Sequence, residues 1–187
     1  MMLSGNEIKK QVKEGSIRIS DYDEKQVNPN SYNLRLSNEM MVYTEGELDM
    51  KKANPTKSFT IPEEGFVLQP GELYLGRTYE RVGTDKYGAK LDGRSSVGRL
   101  GIFTHVTAGF IDIGWDGYLT FEILVVKPVR IYPMVKIAQI SFHSIEGDLG
   151  ITYKGAGKYY GNNGTQASML HRDFEETSNS WVKEDKK

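Results

Sequence analysis

Short apolar runs separated by glycine, proline and aspartate dominate the chain from residue 59 onward. Runs of this length, with no amphipathic helical repeat between them, are typical of β-strands. Many such strands in succession predict an all-β core of the sandwich, jelly-roll or barrel kind. The predicted strands cover residues 66–68, 74–75, 102–106, 119–126, 129–132 and 135–142, with a weaker candidate at 31–36.

The N-terminus has a different pattern, which indicates a helix. Ser4 and Glu7 form the Ser-x-x-Glu capping box that often begins a helix. Ile8 and Val12 then follow one another on one helical face, and Gly15 supplies a stop. We therefore predict one short helix over residues 4–14.

The pattern changes again after Gly150. Residues 154–164 are rich in glycine, lysine and tyrosine, and the chain beyond His171 is mostly polar and charged. One interpretation is a disordered tail; the other is a lid that becomes ordered when Lys158 meets a phosphate. We divide the chain into a β domain over residues 1–150 and a C-terminal closing segment and tail over 151–187.

Composition limits the classes of function. A net charge of −1 gives no electrostatic case for a nucleic-acid or membrane partner. No apolar run approaches membrane-spanning length, so we expect a cytoplasmic protein. The absence of cysteine excludes disulfides and cysteine-based zinc sites. Any metal is expected to be held by oxygen atoms, often those of a substrate's phosphates, as Mg²⁺ commonly is.

One predicted strand carries a carboxylate among apolar side chains. Side chains alternate along residues 119–126, so Glu122 shares a face with Thr120 and Leu124. Because both faces are largely apolar, we expect an internal strand and a Glu122 that is at least half buried. A carboxylate there is costly to desolvate, and such a group is suited to general acid–base catalysis. The alternative is a structural glutamate paired with an arginine or a lysine.

A second carboxylate, Asp112, lies in the sequence Phe-Ile-Asp-Ile-Gly-Trp-Asp-Gly at residues 110–117. Aspartate next to glycine commonly forms a tight turn, an explanation that suits Asp116 better than Asp112. The functional interpretation is that Asp112 activates a water molecule or helps to position a metal.

The sequence Gly-Arg-Ser-Ser-Val-Gly-Arg at residues 93–99 is suited to phosphate. The guanidinium groups of Arg94 and Arg99 match phosphate oxygens, and the hydroxyls of Ser95 and Ser96 add directed donors. The alternative is a pair of surface arginines in a turn. Together with the two carboxylates that follow, this phosphate clamp suggests an enzyme that acts on a phosphorylated small molecule.

Two further residues lie near these motifs. His105 belongs to an apolar run and is expected to be a core histidine with its hydrogen bonds satisfied. Trp115 is a packing residue in one interpretation and a platform for substrate in the other.

These motifs, taken in order, resemble the dCTP deaminase branch of the dUTPase superfamily. The resemblance is carried by Leu-Asp-Gly-Arg-Ser-Ser-Val-Gly-Arg-Leu-Gly at residues 91–101, by residues 105–112 and by residues 114–122. It extends to Pro-Asn-Ser-Tyr-Asn-Leu-Arg-Leu at 29–36 and to Gly-Lys-Tyr at 157–159, and so covers most of the chain. It implies a dUTPase-like distorted jelly-roll or β-barrel subunit with a short N-terminal helix and a flexible C-terminal lid.

The resemblance also implies an assembly and a chemistry. The subunits would form a homotrimer with active sites at the interfaces, and the C-terminal segment would close over bound dCTP or dUTP. Mg²⁺ would be carried on the triphosphate, and cytosine would be deaminated without zinc, which fits a chain that lacks cysteine. Thymidine triphosphate (dTTP) is the implied inhibitor.

The resemblance assigns roles to individual residues. Glu122 corresponds to the general acid–base that activates water for attack on C4 of cytosine. Asp112 corresponds to the aspartate at the deoxyribose, whose dUTPase counterpart orients the water that attacks the α-phosphate. Ser95 corresponds to a residue near the deaminating water, and Arg99 to one that supports the same site and the phosphates. The other predicted substrate-binding residues are Arg94, Ser96 and Lys158 at the phosphates, Thr107, Ala108 and Gly109 on a strand edge at the pyrimidine, and Phe110, Trp115, Tyr153 and Asn162.

Two departures from the family pattern affect the function. Some monofunctional deaminases have a His-Arg pair where this chain has Gly109 and Phe110, and the form found here resembles the bifunctional, dUMP-forming members. Asn162 stands where the family often has a glutamine. We therefore predict a bifunctional dCTP deaminase. The alternatives are a monofunctional deaminase that releases dUTP, a plain dUTPase, and a nucleotide-binding regulatory trimer without turnover.

Overall fold

A computed structural model describes residues 1–154 and 157–175 of the chain. Its N-terminal helix α1 spans Gly5–Lys13, as the capping box predicts. The Ser4 hydroxyl accepts a hydrogen bond from the backbone N–H of Glu7 at 3.3 Å, which satisfies one of the free donors of the first turn. Ile8 is fully buried on the inner face of the helix. Gly15 follows with a φ of 79°, a conformation that glycine adopts at little cost.

The rest of the described chain consists mainly of strands joined by short turns. The elements after α1 are β1 (Ile17–Ile19), a 3-10 helix (Glu24–Gln26), β2 (Tyr32–Tyr43), β3 (Thr56–Thr60), β4 (Phe66–Leu68), β5 (Tyr74–Thr84), β6 (Gly88–Gly93), the short helix α2 (Ser95–Gly98), β7 (Ile102–Phe103), β8 (Phe110–Ile111), β9 (Asp116–Val125), β10 (Val129–Ile131) and β11 (Lys136–His143).

One large antiparallel sheet organises these strands. Its order is β7-β9-β5-β2-β11-β6-β8, with β1 paired to β5 and β3 paired to β2, while β4 and β10 form a separate ribbon. The sheet curls into a half-barrel, so the predicted mostly-β fold class is confirmed. The core lies inside the curl and is built around fully buried side chains such as Tyr32, Phe121 and Phe142.

The strand β9 fixes the two faces on which the function depends. It is paired with β5 on one side and with β7 on the other, so it is internal, as predicted. Leu119, Phe121 and Ile123 point into the core, whereas Thr120 and Glu122 on the opposite face are only half-buried. The alternation therefore delivers the Glu122 side chain to the outer face of a rigid strand.

The strand bounds differ from the prediction where the sequence is not apolar. The strand β6 and most of β5 beyond Leu75 were missed, because their side chains are largely small or polar. Both strands have neighbours on each side, and backbone pairing holds them in the sheet. In the apolar run at residues 102–106, only Ile102–Phe103 forms a strand.

A buried ion pair lies within the sheet. The carboxylate of Glu80, which is 0% exposed, accepts hydrogen bonds from Nε of Arg35 at 2.6 Å and from the backbone N–H of the same residue at 2.9 Å. Gln26 donates to the same carboxylate at 3.2 Å and to the hydroxyl of Tyr32 at 2.7 Å. These bonds satisfy a charge that would otherwise be expensive to bury.

We expect the Glu80→Gln substitution to lower the free energy of unfolding by about 3 kcal/mol, because it leaves the Arg35 guanidinium without its countercharge. In a chain of this size the melting temperature should fall by roughly 6 °C or more, measured by circular dichroism. The matched control is Glu24→Gln, whose partner Lys9 forms an ion pair at the surface; such pairs contribute about 1 kcal/mol at most. Equal melting shifts in the two variants would contradict a special role for the buried pair.

The C-terminal segment lies against the sheet in the part that the structure describes. Tyr153 donates its backbone N–H to the carbonyl of Ile113 at 2.7 Å, and Gly161 donates to the carbonyl of Asp116 at 3.0 Å. The predicted division at residue 150 stays a prediction, and residues 155–156 and 176–187 of the predicted closing segment and tail lie outside the described residues. No helix in the described ranges is long and apolar enough to cross a membrane.

Candidate active site

A cavity of about 450 Å³ lies between β8, β9 and the C-terminal segment. Its wall contains the two candidate carboxylates, Glu122 and Asp112, although ten residues separate them in the sequence. The other predicted site residues on this wall are Ala108, Phe110, Trp115, Tyr153 and Asn162. The structure therefore gathers half of the predicted site into one place.

Glu122 is held at the mouth of a tight loop. Its Oε2 accepts a hydrogen bond from the backbone N–H of Val106 at 3.0 Å, and its own N–H donates to the carbonyl of Thr104 at 3.1 Å. The carboxylate forms no ion pair with any arginine or lysine of the described chain. The structural alternative, a glutamate paired with a cation, is therefore not found, and one carboxylate oxygen faces the cavity without a protein partner in the described residues.

Asp112 belongs to the turn between β8 and β9. Its carbonyl accepts a hydrogen bond from the N–H of Trp115 at 3.2 Å, and Gly114 has a φ of 89° in the same turn. The turn uses only the backbone of Asp112, because the carboxylate is exposed and lines the cavity. Asp116 has a structural role instead, since it accepts hydrogen bonds from Arg81 at 2.6 Å and from Arg18 at 3.0 Å.

The predicted pyrimidine-reading residues form a loop rather than a strand edge. Thr107, Ala108 and Gly109 precede β8, and Gly109 reaches the sheet through its carbonyl, which accepts from the N–H of Leu91 at 2.8 Å. A Cβ at Gly109 would lie 2.8 Å from the carbonyl oxygen of Leu91, so the close approach of this loop to β6 requires a glycine. Phe110 follows with 88% of its surface exposed. Thr107 is exposed and does not line the cavity.

Two aromatic residues form one side of the cavity. Trp115 is 8% exposed, and its ring centroid lies 5.6 Å from that of Tyr153. The indole N–H of Trp115 is buried and has no hydrogen-bond partner among the described residues. Trp115 therefore packs and also presents a free donor at the cavity. The Tyr153 hydroxyl accepts from the N–H of Tyr159 at 3.1 Å, which ties the C-terminal segment to this wall.

The two other predicted residues of the closing segment are occupied by protein contacts. Asn162 is buried, and its side chain donates to the carbonyl of Tyr118 at 3.1 Å and accepts from the N–H of Gly164 at 3.0 Å. In this structure Asn162 holds the segment on β9, so its phosphate contact stays a prediction. Lys158 forms an ion pair with Asp173 and does not line the cavity.

The predicted phosphate clamp lies elsewhere. Arg94, Ser95, Ser96 and Arg99 surround the short helix α2, and none of these four described residues lines the cavity that holds Glu122. Arg94 donates to the carbonyl of Lys136 at 3.0 Å, whereas Ser95, Ser96 and Arg99 are exposed. Within one chain, the clamp and the carboxylates are therefore not brought together.

Two findings were not expected from the sequence. His105 is only half-buried, and its Nδ1 has no hydrogen-bond partner among the described residues, so the prediction of a satisfied core histidine is wrong. Gln166 lines the cavity although no motif contains it. Only its contact with Thr120 reveals it, since the backbone N–H of Gln166 donates to the Thr120 hydroxyl at 3.3 Å.

Comparisons with known proteins agree with this arrangement. A family model described as dCTP deaminase-like matches residues 2–145. A protein of Hathewaya histolytica named dCTP deaminase, dUMP-forming, is 55% identical over 175 residues, covering 94% of this chain and 100% of its own length. A protein of the same name from Leptospira biflexa is 53% identical over 176 residues, covering 94% of this chain and 99% of its own.

Among solved structures, the crystal structure of 2'-deoxycytidine 5'-triphosphate deaminase from Agrobacterium tumefaciens aligns with a TM-score of 0.63 at 23% identity. The alignment covers 79% of this chain and 49% of that one, so this chain spans about half the length of the solved protein. At that identity the likeness concerns the fold. The family model, the two relatives and the motifs together lead to one conclusion: this chain belongs to the dCTP deaminase-like family.

Proposed function

We propose that this chain is a dUMP-forming dCTP deaminase, which converts dCTP and two water molecules into dUMP, diphosphate and ammonia. The observation that carries the proposal is the placement of Glu122 and Asp112 on the wall of one cavity. The names of relatives that are 53% and 55% identical over nearly the whole chain support the same activity.

Glu122 is the group we assign to deamination. A carboxylate with one oxygen held by the N–H of Val106 has a fixed orientation and a second oxygen free for proton transfer. It takes a proton from the water that attacks C4 of cytosine, and it returns protons to the ring and to the departing amine, which leaves as ammonia. The hydrogen bond to the backbone keeps this geometry without neutralising the carboxylate.

Asp112 is the group we assign to the second reaction. Its carboxylate lies on the same cavity, but at the turn before β9 rather than within that strand. From there it binds the deoxyribose and orients the water that attacks the α-phosphate, which releases diphosphate and leaves dUMP. Two carboxylates on different elements thus serve two hydrolytic steps on one bound nucleotide.

Magnesium is proposed as a companion of the triphosphate. The described residues contain no cluster of three or more histidine, aspartate or glutamate side chains that could hold an ion. Mg²⁺ typically binds through one or two carboxylates together with substrate phosphates, and Asp112 is the carboxylate available on this cavity for such a contact. When bound, the ion would neutralise phosphate charge.

We also propose a homotrimer in which each site uses residues of two subunits. The support is the separation of the phosphate clamp at residues 94–99 from the cavity with Glu122 and Asp112. In a cyclic assembly, the exposed clamp of one subunit can face the cavity of the next. Inhibition by dTTP and a cytoplasmic location stay predictions.

Mixing two inactive variants tests the shared site. We expect Glu122→Gln and Ser95→Ala subunits, each impaired alone, to recover activity when refolded together, because some interfaces combine an intact Glu122 with an intact Ser95. Random assortment in equal amounts should restore about a quarter of the sites. Ammonia release is the measurement, and each variant refolded alone is the control. No recovery in a mixture that elutes as a trimer would contradict the shared site.

A nucleotide assay tests the activity itself. The full chain is incubated with dCTP and Mg²⁺, and the products are separated by ion exchange. We expect dUMP and diphosphate to accumulate with little free dUTP. Stoichiometric dUTP would identify a monofunctional deaminase, whereas hydrolysis of added dUTP without any conversion of dCTP would identify a dUTPase. Binding of dCTP without turnover would identify a regulator.

A further inference from the structure

One side chain on the cavity wall has a polar atom that the protein leaves unused. Oε1 of Gln166 is buried and has no hydrogen-bond partner among the described residues. Burying an acceptor without a partner is unfavourable, which is why such atoms in folded proteins are nearly always hydrogen-bonded. An unused acceptor on the wall of a substrate cavity is therefore a place where a ligand's donor gains a bond at no cost to the protein.

The position of Gln166 directs this acceptor to the base rather than to the phosphates. Its backbone N–H is bonded to the hydroxyl of Thr120, and Thr120 precedes Glu122 by two residues on the same face of β9. Side chains two apart on one strand are neighbours on that face. Gln166 therefore lies beside the carboxylate to which we assign the chemistry at C4.

The donors of dCTP narrow the choice further. The triphosphate offers acceptors for an ion or a cation, and at neutral pH it has no donor for an amide oxygen. The remaining donors of the nucleotide are the amine on C4 and the 3'-hydroxyl of the sugar. Because Asp112 is assigned to the sugar, the amine is the donor left for Gln166.

We propose that Gln166 is a specificity-determining residue whose Oε1 accepts a hydrogen bond from the C4 amine of cytosine. The inference rests on the proposed function, since it takes dCTP as the ligand. A fixed acceptor at this position distinguishes the substrate base from uracil, which presents a carbonyl oxygen there and has no hydrogen to donate. Gln166 thus favours entry of dCTP over binding of the uracil nucleotide.

The test compares a cytosine nucleotide with a uracil nucleotide on the same variants. In Gln166→Leu, which removes the amide at similar size, we expect KM for dCTP deamination to rise about 10-fold. The inhibition constant of α,β-imido-dUTP should change less than about twofold, because uracil makes no such bond. Gln166→Asn, which withdraws the amide by one methylene, should give an intermediate rise in KM and guards against a leucine variant that fails to fold.

Gln11 provides a matched control. Its Oε1 is also buried without a partner in the described residues, but it lies on α1, away from the cavity. Gln11→Leu should leave both constants unchanged. An unchanged KM for dCTP in Gln166→Leu, or equal weakening of dCTP and α,β-imido-dUTP, would overturn the proposal. A wild-type chain that releases no ammonia from dCTP would instead overturn the proposed function, and this inference with it.

Discussion

The Glu122→Gln variant is expected to release ammonia from dCTP at least about 10²-fold more slowly than the wild-type chain. Glutamine has nearly the same shape and can still accept the hydrogen bond from the N–H of Val106. It cannot take or return a proton at neutral pH. The substitution should therefore abolish proton transfer at C4 while it leaves the cavity and its backbone contacts in place.

Ammonia release under saturating dCTP is the measurement. Hydrolysis of dUTP to dUMP by the same variant is the internal control, because that reaction has no step at C4 and should remain within a few-fold of wild type. Ammonia release at a near-normal rate would remove Glu122 from its assigned role. Loss of both reactions to the same extent would indicate that Glu122 supports the site as a whole.

The Asp112→Asn variant is expected to show the opposite pattern. If Asp112 orients the water that attacks the α-phosphate, diphosphate release should fall by a factor of about 10² while ammonia release falls much less. Free dUTP should then accumulate from dCTP, which the wild-type chain is expected to avoid. The exposed position of Asp112 and the exclusive use of its backbone in the turn make a folding defect an unsuitable explanation for such a result.

Both products are quantified in one reaction by ion exchange, so the ratio of dUTP to dUMP reports the separation of the two steps. The Glu122→Gln variant serves as the control for Asp112→Asn, since each should spare the reaction that the other impairs. Equal loss of ammonia and diphosphate in Asp112→Asn would mean that Asp112 mainly positions the sugar.

Sequence patterns predicted the fold where side-chain chemistry decides local structure. The capping box of Ser4 predicted α1, and the apolar alternation from residue 119 predicted an internal β9 with Glu122 on its outer face. The prediction failed at β6 and at the distal part of β5, since those strands are held by backbone pairing with neighbours that are distant in the sequence. No local pattern contains that information.

The candidate site shows the same division. Motifs were sufficient to name Glu122 and Asp112, and the structure places both on one cavity. The motifs could not show that Lys158 pairs with Asp173 or that His105 has an unpartnered ring nitrogen. Nor could they identify Gln166, because its relation to the site depends on how the C-terminal segment crosses β9.

The sequence by itself therefore determined the class of fold, the family and the chemical types at the site, because these follow from residue identity and from spacing within a single element. Only the tertiary structure decided which of those residues meet. The curl of the sheet brings β8, β9 and the C-terminal segment around one cavity, and it leaves the phosphate clamp of residues 94–99 outside that cavity. Proximity across a folded sheet depends on strand order and on packing between distant segments, and neither is written in any short stretch of the chain.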